Sequence, residues 1–223
     1  MNNENLGDSL RSYRAYLNSD GSDKPITPDV SKSPGLKGAY TPSEIYKMYE
    51  KSIVVVYSGT GNGLQKLGTG FFISDHIVIT NHHVIEGGSQ IVVKMISGKM
   101  FNVSKILAQN KKFDYAILDV VIDVKVTPIP VSMSEPEIGE DVVIIGNPQG
   151  LEFTLSKGVV SAIRDQESEK RAIIQFDAAI SQGNSGSPVI NLRGEVIGVA
   201  TFMVLDCQNC NFAYSSRLFM SSV

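Results

Sequence analysis

The sequence predicts an all-β protein, and its length suits two small barrels sharing a cleft. Three observations lead there. From Ile53 onward, short runs rich in Val and Ile recur at 53–57, 68–73, 77–80, 90–95, 115–119, 142–145, 158–163, 172–176, 188–191 and 195–202. Turns containing Gly, Asn, Asp or Pro separate these runs, which is the punctuation of a barrel or sandwich. None is regularly followed by helical periodicity, so a doubly wound α/β sheet is disfavoured. With 223 residues, 42% of them hydrophobic, the chain can fill one substantial domain or two barrels.

Along the chain, residues 1–40 are polar and broken by Gly7, Gly21, Pro25, Pro28, Pro34, Gly35 and Gly38. They predict a flexible N-terminal arm or linker. Within it, Leu6, Leu10, Tyr13, Tyr16 and Leu17 could line one face of a short helix. The composition shift near residue 40 opens a domain over 41–223, with barrels expected at approximately 45–125 and 126–218. Thr41-Pro42-Ser43-Glu44 reads as a helix start, with proline tolerated in the first turn.

Several function classes are excluded by composition. A net charge of -3 and a pI near 5.6 offer no basic field for nucleic acid. No apolar run reaches the ~18 residues of a membrane-spanning helix. The opening MNNENLGDSLRSYRAYL lacks an apolar signal-peptide core and, read literally, implies a cytosolic protein. The three histidines, His76, His82 and His83, lie too close together for a recognised zinc spacing. Cys207 and Cys210 have C-x-x-C spacing without a second pair, so they read as surface-loop thiols, paired or free. No metal or cofactor is predicted.

The chemistry concentrates in Gln182-Gly183-Asn184-Ser185-Gly186-Ser187-Pro188. Glycines at 183 and 186 remove β-carbons where the backbone must turn sharply and approach a substrate. Ser185 is the candidate nucleophile. The N–H groups of Gly183 and Ser185, with Asn184 between them, are the candidate oxyanion donors. Thr80-Asn81-His82-His83-Val84 supplies His83 as candidate base, and Phe113-Asp114-Tyr115-Ala116 supplies Asp114 to orient it. His82 is a weaker base candidate, and Asp119 and Asp177 are rivals to Asp114. The order His, Asp, Ser is that of the chymotrypsin-type triad, unlike the orders of α/β-hydrolases and subtilisins. Competing readings are an esterase using the same triad and a peptide-binding module that keeps a residual one.

Six stretches together resemble the trypsin-like peptidases of the HtrA/Deg type. They are Gly68-Thr69-Gly70-Phe71-Phe72-Ile73, Ile79 to Ile85, Asp114 to Leu118, Gly146-Asn147-Pro148-Gln149-Gly150-Leu151, Gly158-Val159-Val160-Ser161, and Ile174 through Gly186. The similarity covers roughly 45–218. It implies a chymotrypsin/trypsin-like double β-barrel with the active site between the barrels. His83, Asp114 and Ser185 would act as base, orienting acid and nucleophile. Members commonly carry a PDZ domain after the protease, and too few residues follow 218 here to form one. Ser187 stands where the family usually has a second glycine.

Specificity follows from the expected pocket. Ala179 and Ile180 lie near its base and Val199, Ala200 and Thr201 along its wall, with no carboxylate to favour Lys or Arg. A small or medium aliphatic P1 residue is expected, in flexible segments bound by strand addition. Loops 147–157, 164–170 and 203–212 could require ordering, making the enzyme latent until activated. The N-terminal arm could contact an activating partner or assemble a homo-oligomer.

Overall fold

The computed structural model describes residues 39–60, 63–147, 151–166, 169–203 and 208–220. The arm expected over 1–40 lies outside these except for its last two residues, as does Cys207. The chain enters through α1 (Pro42–Tyr49) and then forms β1 (Ile53–Thr60), β2 (Gly63–Phe72), β3 (Ile77–Thr80) and α2 (His82–Ile85). β4 (Gln90–Met95), β5 (Met100–Asn110) and β6 (Tyr115–Val120) follow. The second half contains β7 (Asp141–Gly146), β8 (Thr154–Gln166), β9 (Glu169–Phe176), β10 (Pro188–Asn191), β11 (Val196–Met203), β12 (Asn211–Ser215) and α3 (Arg217–Met220). β1 to β6 close into one antiparallel barrel and β7 to β12 into another, as the all-β expectation requires.

Alternation along the strands explains both barrels and their junction. Val54, Val56, Phe72, Val78, Ala116 and Leu118 fill the first barrel. Their strand neighbours Ile53, Phe71, Ile77, Ile79, Tyr115 and Ile117 point outward into a separate apolar layer. β7 divides the same way, with Val142 and Ile144 inside the second barrel and Val143 and Ile145 in the shared layer. That is why β1 and β7 read as unbroken apolar runs. Each is buried on both faces, so period-2 alternation is masked.

Two strands were not legible in the sequence. β5 is exposed or half-buried except at Ala108 and carries Asn102, Ser104, Lys105 and Gln109, so its composition does not mark it. Pairing with β4 and β6 makes it a strand, with two register shifts against β6. β12 is five residues long and is held between β11 and β9.

The expected helix start is present as a capping box. The Glu44 N–H donates to Thr41 Oγ1 at 3.2 Å, and the Thr41 N–H donates to Glu44 Oε2 at 2.8 Å. One turn apart, Ile45 and Tyr49 bury the inner face of α1. The Tyr49 hydroxyl donates to the Gly194 carbonyl at 2.9 Å, fastening the entry helix to the β10–β11 hairpin. Burial pushes that hydroxyl from 10.0 up to about 12. Since the folded value is the higher, its contribution is present below the unfolded value and lost as pH rises through the folded one. Tyr49→Phe should therefore cost about 1 kcal/mol at neutral pH and flatten the alkaline loss of stability. Thermal melts of both proteins from neutral to strongly alkaline pH check this, and an equal alkaline decline in both would count against it.

Candidate active site

His83 sits on α2, the single turn that follows β3, with Asn81 extended at its N-cap. Asp114 lies in the turn between β5 and β6 with φ of 45°. This left-handed conformation is costly for most residues but accessible to aspartate. The surrounding bonds hold it. Asp114 Oδ1 accepts the His83 backbone N–H at 2.9 Å, and Oδ2 lies 2.6 Å from His83 Nδ1. Its carbonyl accepts from Asn81 Nδ2 at 2.7 Å. One carboxylate thus fixes both the main chain and the ring of His83. Because that carboxylate only accepts, the ring proton belongs on Nδ1, leaving Nε2 as a base. Asn81 also donates to Thr201 Oγ1 at 3.1 Å, joining this corner to β11 of the second barrel.

The serine lies on a turn whose peptide groups are nearly all engaged. The Asn184 N–H closes the turn onto the Ser181 carbonyl at 3.0 Å. Gly183, third in that turn, has φ of 98°, as a type II turn demands. The Gly183 carbonyl accepts from Thr69 Oγ1 at 2.8 Å, and the Asn184 carbonyl accepts from the Ser187 N–H at 2.9 Å. The Ser185 carbonyl accepts from the Thr69 N–H at 2.8 Å, and the Gly186 N–H donates to Ala200 at 2.9 Å. The N–H groups of Gly183 and Ser185 enter no hydrogen bond among the described residues. Of the three residues assigned to the oxyanion site, Asn184 therefore differs: its N–H is already used and its side chain is buried.

Two glycines let the barrels close on each other here. A β-carbon on Gly68 would lie 2.6 Å from Val84, the neighbour of His83, and 3.0 Å from the Ser185 carbonyl. On Gly186, with φ of 88°, it would run into the Thr69 carbonyl and Thr80 Oγ1.

The rival acids stand elsewhere. Asp119 accepts from Ser104 Oγ at 2.6 Å and lies 3.9 Å from His76. Asp177 accepts the Val159 N–H at 2.6 Å and braces β8. Among the described residues no cluster of three or more His, Cys, Asp or Glu could hold a metal.

The pocket residues divide. Ala179 is exposed and Ile180 half-buried against the second core. Val199 and Ala200 are 1% and 0% exposed, so their side chains belong to the cores and cannot line a pocket. This corrects their assignment as wall residues. β10 pairs with β11 as far as Val199, whereas β12 continues along Phe202 and Met203. Thr201 to Met203 consequently have an unpaired edge among the described residues. Phe202, 40% exposed, stacks on Phe212 with ring centroids 4.9 Å apart. Thr69, Asn81 and Asn147 show no role in the sequence, although each lies in one of the six family-like stretches. Their work is contact across the barrels, which chain order does not display.

Two closed six-stranded antiparallel barrels with this turn between them have the chymotrypsin/trypsin-like architecture. The Trypsin-like peptidase domain family matches residues 68–199, more than half of the chain. The chain belongs to that family, within its HtrA/Deg type. A protein of Hahella chejuensis described as "Probable periplasmic serine endoprotease DegP-like" is 39% identical over 60% of this chain and 29% of its own length. "Periplasmic serine endoprotease DegP" of Salmonella typhimurium is 36% identical over 64% of this chain and 32% of its own. The match thus spans about a third of these curated relatives. The crystal structure of the serine endoprotease from Yersinia pestis superposes with a TM-score of 0.71 at 28% identity, covering 82% of this chain and 65% of that one.

The cytosolic expectation is overturned. Several of the relatives, the two above among them, are described as periplasmic. Cys210 is disulfide-bonded.

Proposed function

We propose that this chain is a serine endopeptidase acting through an acyl-enzyme, within a protease domain over 41–223. The observation that carries the reading is the contact of 2.6 Å between His83 Nδ1 and Asp114 Oδ2, beside a serine turn with two unengaged N–H groups. Ser185 Oγ attacks the scissile carbonyl while His83 Nε2 takes its proton. Asp114 holds the ring and stabilises the imidazolium that forms. The N–H groups of Gly183 and Ser185 bind the oxyanion, and His83 returns the proton to the leaving amine. Water then attacks the acyl ester, with His83 again as base.

Substrate enters as a strand along the open edge of Thr201 to Met203, which favours flexible over folded segments. Ala179 and Ile180 present no charge to a P1 side chain, so cleavage follows small or medium aliphatic residues. The periplasmic relatives support work in an oxidising compartment.

Fluorophosphonate labelling, followed by mass-spectrometric mapping of cuts in unfolded casein, tests the reading. Labelling at Ser185 with cuts after Val, Ala, Ile or Leu is expected. Cuts after Lys or Arg would overturn the pocket reading, and no labelling or cleavage would overturn the catalytic one.

A further inference from the structure

One hydroxyl ties the nucleophile turn to the first barrel. Thr69, fully buried in β2, has its Oγ1 2.8 Å from the Gly183 carbonyl oxygen. The same oxygen lies 3.1 Å from both the backbone N and the side-chain Nδ2 of Asn147. A hydroxyl has one proton and two lone pairs. Both Asn147 groups donate, so they occupy the lone pairs, and the proton is directed to Gly183. The bond is oriented from both sides rather than left to a freely turning rotor. Asn147 is anchored in turn, donating to the Val54 carbonyl at 3.2 Å and accepting the Phe153 N–H at 2.9 Å. Thr69 itself is held through its carbonyl by Thr80 Oγ1 at 2.6 Å, at the end of the strand that leads to His83.

We propose that Thr69 is a positioning residue for transition-state stabilisation. Its hydroxyl fixes the Gly183–Asn184 peptide, and its N–H fixes the Ser185 carbonyl. The Ser185 N–H lies between these two anchors and the Gly183 N–H immediately before the first, and the two donors must converge on one oxyanion. Glycine at 183 leaves the backbone free to rotate, so the turn needs an external hold. The inference rests on the catalytic reading above.

Thr69→Val keeps the shape and removes the hydroxyl, while Thr69→Ser restores it. Thr69→Val should lower kcat, and the fluorophosphonate labelling rate, by about 10- to 100-fold, because a small misplacement costs on that order. KM should change little, and Thr69→Ser should recover most of the loss. Circular dichroism and thermal melting confirm that each variant is folded at the assay temperature. If the valine variant does not fold, Thr69→Ala carries the same test. A folded variant without the hydroxyl that keeps wild-type kcat overturns the inference alone. So does a loss confined to KM, or one that serine fails to recover. A wild-type chain that neither cleaves nor labels removes the catalytic reading, and this inference with it.

Discussion

Ser185→Ala is expected to lower kcat on a peptide substrate by about 10⁶-fold, the largest effect any single substitution here should have. The size follows from what the hydroxyl does. In the proposed mechanism it is the attacking atom, and neither His83 nor the oxyanion donors act covalently without it. A residual acceleration of roughly 10³ over water should remain, because donors and substrate contacts stay in place. The fold should be indifferent to the change. The turn is held through main-chain groups, with the Ser185 carbonyl on the Thr69 N–H, and no described hydrogen bond depends on the serine hydroxyl. An unchanged melting temperature with activity abolished is the expected pair of results. Retained cleavage in the purified variant would assign the nucleophile elsewhere.

Asp114→Asn should lower kcat by about 10⁴-fold with little change in KM. Asp114 accepts on both oxygens, from the His83 main chain and from its ring. Asparagine can accept on only one. The backbone N–H cannot become an acceptor, whereas the imidazole can change tautomer. The asparagine oxygen therefore stays on the main chain and its NH₂ faces Nδ1. That moves the ring proton to Nε2, the atom that must accept from Ser185. The variant should remain folded while catalysis fails. Asp119→Asn is the matched control, since that carboxylate serves Ser104 and lies beside His76. Steady-state kinetics on the two variants separate the assignments, and equal losses would argue against Asp114 as the orienting acid.

Much of the site was legible because chemistry sits in short local motifs. Gly183 and Gly186 announce a sharp turn around Ser185, since only glycine tolerates those angles and approaches. The capping box at Thr41 and Glu44 was equally readable, for its partners are three residues apart. The strands that line both a barrel and the shared layer were plain from their Val and Ile content, and β5 was not, because one of its faces meets solvent.

The sequence by itself determined the all-β class, the order of histidine, aspartate and serine, and the glycine-bracketed turn. Tertiary structure decided which aspartate meets His83, since Asp114 and Asp119 differ mainly in where the β5–β6 turn puts them. It also decided that Val199 and Ala200 are core, that Thr201 to Met203 keep an open edge, and that Thr69 holds Gly183. These are contacts between segments far apart in the chain. Local propensity is blind to them, because they exist only once two closed barrels bury a common apolar layer and bring their loops together.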